Sequence, residues 1–216
     1  MENILQNIII YAIPLIFAIT VHEAAHAYAA KYFGDGTAYM LGRVTLNPMK
    51  HIDPVWTIAM PIVILILSSF SFVFGGAKPV PVNFSALRNP RRDMIWVAAA
   101  GPGANLLMMV GWAVIGKLAT LFPASMPVLF VILVAKAGIF VNALLMVFNL
   151  FPILPLDGGR ILAGLLPPRA AYAFSRLEPY GMLILVALIL SGVLGPILGP
   201  LVVFSMNTVY SLIGLK

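Results

Sequence analysis

The sequence contains no cysteine in its 216 residues. Disulfides and thiolate metal sites are therefore excluded, and a soft-metal site must use His, Asp, Glu or water. Charge is scarce too. Asp, Glu, Lys and Arg make up 9% of the chain, against about 25% in ordinary soluble domains. Only three histidines are present. Every polar connection is short, which leaves no room for an inserted soluble domain, and no repeat or low-complexity tract is visible.

What remains is apolar. Hydrophobic residues account for 62% of the chain, and the mean hydropathy is +1.03. Six apolar stretches stand out, at about 4–33, 55–74, 94–118, 127–151, 180–194 and 197–214. A span needs roughly 20 apolar residues, and backbone in lipid must satisfy its own hydrogen bonds. The expected fold is an all-α polytopic membrane protein of five to six hydrophobic helical segments. Residues 1–216 are expected to form one membrane-embedded domain. The first run follows Met1-Glu2-Asn3, lacks a basic leader and is long for a signal peptide, so it is expected to be retained. Two connections have a β-like flavour and are expected to lie at the membrane. They are Thr37–Pro48, partly β-branched and aromatic, and Gly75–Asn83, which two prolines keep extended.

The formal net charge of +6 marks loops here rather than a nucleic-acid partner. Lys31, Arg43 and Lys50 follow the first run; Lys78, Arg88, Arg91 and Arg92 follow the second; Arg160, Arg169 and Arg176 follow the fourth. All three clusters lie on the cytoplasmic side only if 55–74 dips into the membrane and returns. Pro61 and Gly75-Gly76 suit such a bent path.

The polar residues are concentrated. His22-Glu23-Ala24-Ala25-His26 places two imidazoles four residues apart, on one face of a helix. Both can reach one ion, and Glu23 lies one step round, able to address a water on it. Nitrogen ligands and an open position suit zinc, and the pattern is hydrolytic. An ionisable group inside a membrane span points to function by default. A third ligand has to come from a short inventory. Asp35 lies in a Gly-Asp-Gly turn, Asp93 reads as a helix-start residue, and Glu178 precedes a proline. His51 and Asp53 share Lys-His-Ile-Asp-Pro, and either fits near a metal. Asp157 stands out, in Asn149–Arg160 (NLFPILPLDGGR), where prolines open the helix and Gly158-Gly159 permit close backbone approach. A metal transporter is the competing class, but transporters spread ligands along a path, whereas here they converge beside a base.

With HEAAH, NLFPILPLDGGR and AAAGPGANLL (Ala98–Leu107), the chain resembles the site-2 protease family of intramembrane zinc metalloproteases, in a compact form without PDZ or CBS domains. The resemblance covers a catalytic core of about 10–165, leaving helices at about 170–214. It implies Zn2+ bound by His22, His26 and Asp157. It also implies Glu23 as general base and acid, and Asn149 as donor to the developing oxyanion. Asn105 would join core helices or touch substrate. A substrate unwound for cleavage needs backbone partners; Arg43, Val44 and Thr45, at the start of 43–47, are the first candidates and 80–83 the second. The implied partners are transmembrane proteins or membrane peptides and the lipid bilayer. The implied location is the cell membrane, multi-pass, with the site nearer the cytoplasmic side. Substrate identity and oligomeric state are not set by the sequence.

Overall fold

The structure is a computed structural model that describes residues 2–51 and 78–214. The segment 55–74, expected to dip, lies outside the described residues, as does Asp53. The helices are α1 (Glu2–Tyr32), α2 (Thr37–Met40), α3 (Pro90–Ala119), α4 (Met126–Asn149), α5 (Asp157–Leu165), α6 (Pro168–Ser175), α7 (Glu178–Leu190) and α8 (Leu194–Ile213). The all-α expectation holds: no strand occurs among the described residues. Among the described residues four helices are long and apolar enough to cross a membrane, and α6 with α7, bent by 64°, makes a fifth if counted as one span. The strand flavour of Thr37–Pro48 is corrected. Thr37–Met40 is a helical turn, because Ala38 is drawn into an apolar cluster with Ala27 of α1 and Val80.

Helices α1, α3 and α4 pack against one another and form the frame, α5 lies on α3, and α8 packs on α4 and α3. In lipid there is no hydrophobic drive between helices, so close approach of small residues has to supply the packing. Ala18, Ala24, Ala27 and Ala30 of α1 are all buried. Gly138 of α4 lies under the Trp112 ring, where any Cβ would overlap the indole. A second cluster joins Met109 and Ala113 of α3, Ile139, Ala143 and Val147 of α4, Leu185 of α7, and Leu194, Leu198, Val202 and Val209 of α8.

Polar contacts gather at one end of the frame. Asp93 Oδ2 accepts the Asn89 backbone N–H at 2.7 Å and starts α3. Arg91 donates to the carbonyls of Gly164 and Leu166, which end α5. Arg88 N–H donates to Phe33 O, just past α1, at 2.9 Å. Thus the end of α1, the start of α3 and the end of α5 share one side. Lys78 N–H donates to His51 O at 2.9 Å, which sets these two residues side by side. Lys117 Nζ donates to Gly214 O at 2.7 Å, which sets the end of α8 beside the end of α3.

A labelling experiment tests this arrangement, helped by the lack of native cysteine. Cysteines introduced singly at Ser85 and Arg169 should react with an impermeant reagent from one face only, and a cysteine at Ser125 from the other. Labelling of Ser85 together with Ser125 would contradict the shared side.

Candidate metal centre

The centre is assembled from α1, α3 and the start of α5. His22 and His26 project from adjacent turns of α1, and both are buried, at 7% and 9% exposed. Asp157 is the first residue of α5, delivered by the turn that follows α4. That turn is compact for a steric reason. A Cβ on Gly158 would overlap the Leu150 carbonyl, and one on Gly159 would strike Ile153 and Leu154. The pair of glycines therefore lets α5 begin directly against the end of α4.

The Nε2 atoms of His22 and His26 are 3.1 Å apart, and Asp157 Oδ2 is 3.3 Å from each. The side chains can present three ligand atoms within 4.8 Å of one another. His26 Nδ1 donates to Val97 O at 2.8 Å, so in the neutral ring Nε2 carries the lone pair. His22 Nδ1 lies 2.6 Å from Asn105 Oδ1, an acceptor, so the same holds there. Asp157 Oδ2 is buried and has no hydrogen-bond partner. With both imidazoles neutral in these tautomers, three acceptor atoms face one another, an arrangement that needs a cation between them. Tetrahedral zinc with bonds of about 2.0–2.1 Å would set its ligands roughly 3.3 Å apart. The triangle observed has that size, so the residues fit the ion. Both imidazoles also have the outer hydrogen bond that metal-bound histidines usually make.

The triangle opens on a cavity of about 490 Å³, lined among others by Glu23, Val80, Asn149, Asp157 and Arg160. Glu23 lines the cavity, and its Oε2 accepts the Val80 N–H at 2.9 Å. The extended piece 78–83 is fastened at both ends. Lys78 is held by His51, and Asn83 N–H donates to Asp35 Oδ2 at 2.7 Å. Asp35, fully buried, also accepts from Thr37 N–H and Oγ1–H. The acidic residue in the turn is thus a clamp for the cavity wall. Asn149 lines the cavity; one N–H of its amide donates to Leu145 O at 3.0 Å, and the other remains.

Other candidates are placed elsewhere. Arg43, Val44 and Thr45 are outside the cavity lining. Arg43 is bonded to Lys50 O, and Val44 packs on the cluster of Ala27, Ala38 and Val80. The wall is made instead by Pro79, Val80 and Val82. His51 is buried with Nε2 against Thr45 O, away from the triangle. Asn105 is fully buried behind His22, where a substrate cannot touch it. Glu178 pairs with Arg160 at 2.9 Å, and Arg160 lies over the Phe84 ring.

Three contributors escaped sequence reasoning. The Val97 carbonyl and the Val80 N–H belong to the backbone and carry no signature. Gly101 lies within the quoted AAAGPGANLL, but its use is tertiary: a Cβ there would overlap both imidazoles.

Two imidazoles, a carboxylate and a second carboxylate one helical step away, enclosed in an apolar helix bundle, define a membrane-embedded metallohydrolase type of centre. Comparison with known proteins gives the family. The profile described as Peptidase family M50 matches residues 119–192. A Bacillus subtilis protein named "Putative zinc metalloprotease YwhC" is 36% identical over 197 residues, covering 88% of this chain and 84% of that protein. "Putative zinc metalloprotease Rip2" of Mycolicibacterium smegmatis is 31% identical over 176 residues, covering 82% of this chain and 64% of the relative. Its namesake from Mycobacterium tuberculosis is 29% identical over 180 residues, with 81% and 64% covered. No solved structure matches. The chain belongs to peptidase family M50, the site-2 protease family.

Gly101→Ala tests the close approach of α3. The methyl has no space beside His22 and His26, and overpacking of this kind costs about 1–3 kcal/mol. The variant should melt earlier and retain less metal than Gly103→Ala, whose Cβ meets nothing within 4 Å. Equal metal content and melting in the two would contradict the geometry.

Proposed function

We propose that the chain is an intramembrane zinc metalloprotease. It would hydrolyse peptide bonds in or near transmembrane segments of membrane-protein substrates, in regulated intramembrane proteolysis. The observation that carries this reading is the triangle of His22 Nε2, His26 Nε2 and Asp157 Oδ2, 3.1–3.3 Å on a side, beside Glu23 in one cavity. His22, His26 and Asp157 would hold zinc. Zinc bound there supplies Lewis acidity, which makes a water nucleophilic near neutral pH.

The chain's own groups do the rest. Glu23 takes a proton from the attacking water as its oxygen bonds to the scissile carbonyl carbon. The same carboxyl then returns the proton to the leaving amine as the C–N bond breaks. The Val80 N–H, bonded to Oε2, orients the carboxylate without occupying Oε1. The second N–H of Asn149, which lines the cavity, would meet the carbonyl oxygen as it gains charge. Apolar helices around the cavity keep bulk water low and make each of these interactions stronger.

A helix presented for cleavage must first unwind. The piece 78–83 supports local pairing with the freed strand, since Pro79 and Pro81 hold it extended and its described N–H bonds turn inward. Its carbonyls are then available to an added strand. The enzyme would be a multi-pass protein of the cell membrane. Its site would lie nearer the cytoplasmic face, where the basic loops gather.

Two substitutions test the assignment with purified protein reconstituted with a labelled membrane peptide. Glu23→Gln should keep one zinc per chain and lower cleavage ~10²–10⁴-fold, because the amide cannot accept the water's proton. Asp157→Asn should lower zinc content and activity together. Full cleavage by the glutamine variant removes Glu23 from the chemistry, and unchanged zinc in the asparagine variant removes Asp157 from the ligands.

A further inference from the structure

The two histidines are oriented by different means. His26 Nδ1 meets a backbone carbonyl, Val97 O, which can only accept. One contact therefore fixes its tautomer. His22 Nδ1 meets the side chain of Asn105. An asparagine amide presents either its oxygen or its NH2 with nearly the same shape, so this contact by itself leaves the tautomer open. In the reversed orientation, Asn105 would donate to Nδ1. The proton would then move to Nε2 and remove the lone pair from the triangle.

The ambiguity is settled one residue further out. Asn105 Nδ2 is 3.0 Å from Asn142 Oδ1, and Asn142 Nδ2 is 2.8 Å from Gly138 O. Gly138 O is a carbonyl and only accepts, so Asn142 must point its NH2 there and its oxygen at Asn105. Asn105 must then point its own NH2 at Asn142, with Ala18 O as a second acceptor at 3.4 Å. Its oxygen is left for His22. Both asparagines are fully buried, so no water can absorb a reversal. Any flip sets two donors or two acceptors face to face, which is the expensive case for buried polar groups.

We infer that Asn142 and Asn105 form an amide relay, anchored on the Gly138 carbonyl, that holds His22 with its Nε2 lone pair toward the metal. Asn142 touches neither ligand atoms nor cavity and is a positioning residue. The inference rests on the zinc reading above. Its rival is a plain structural clasp between α1, α3 and α4, since interhelical amides also join membrane helices.

Zinc affinity of the full-length, detergent-solubilised protein, measured by chelator competition, separates the two. Asn142→Leu should weaken zinc about 10–100-fold, the usual loss for an outer partner of a metal-bound histidine. In an Asn105→Asp background both oxygens of residue 105 only accept, so its orientation no longer depends on Asn142. There the same Asn142→Leu change should alter zinc affinity by no more than about twofold, the scatter of uncoupled changes. A clasp predicts the same loss in both backgrounds, and that result overturns the relay. So does wild-type affinity in a folded Asn142→Leu protein. Should the leucine variant not fold, the ¹⁵N-histidine spectrum of the zinc-free full-length wild type, taken where His22 is neutral, decides. A proton on His22 Nδ1 supports the relay, and a proton on Nε2 overturns it. Failure of the wild type to take up zinc at all would overturn the metal reading itself, and the relay with it.

Discussion

Three lone-pair atoms facing one another across 3.1–3.3 Å are the constraint on which the rest of the molecule depends. Left to themselves they repel, more strongly in an apolar interior than in water. The fold has to hold them there. Long α1 supplies two of them on one face. The third comes from a different helix, about 130 residues later in the chain. Glycines do much of the placing. Gly101 lets α3 close on the imidazoles, and Gly158 and Gly159 let α5 start against the end of α4. None of these positions has room for a Cβ, so the centre is specified by close backbone approach as much as by its ligands.

The buried polar groups around this centre follow one pattern. Asp157 Oδ2 apart, the buried and half-buried groups next to it each have a specific partner. His26 uses a backbone carbonyl, His22 an asparagine, Glu23 a backbone N–H, and Asp35 three donors at once. With Asp157, they are five of the ten Asp, Glu and His residues in the chain, which has seven Asp and Glu and three His. Their concentration around one cavity and its wall is what an enzymatic centre in lipid requires. A polar group without a partner there would cost too much to retain.

Much of this was legible in the sequence. The apolar runs give the long helices to within a few residues at most ends, because span length and hydropathy are local properties. HEAAH gives the two proposed His ligands and the proposed base, since spacing along a helix is also local. Asp157 was distinguishable by its setting between prolines and glycines. The depth of Asn105 was not legible, nor was the part played by Asn142. It passed as one polar residue in the apolar run at about 127–151, although an amide at that depth is itself a signal. Thr37–Met40 read as strand by its residue types, yet forms a helical turn because Ala38 packs on α1. Pro79, Val80 and Val82, in or beside the second candidate stretch 80–83, border the cavity rather than the first candidate 43–47, and the Val80 and Asn83 N–H bonds to Glu23 and Asp35 hold them there. Partners distant in sequence decide such matters, and periodicity carries no record of them.

The central claim is that His22, His26 and Asp157 share one zinc ion. X-ray absorption at the zinc edge of the purified protein tests it most directly. The account predicts one zinc per chain, bound by four nitrogen or oxygen atoms at about 2.0–2.1 Å, with scattering from two imidazoles. A shell with three imidazoles would bring in His51 in place of the carboxylate. A six-coordinate oxygen shell would mean adventitious metal. Either result would contradict the account.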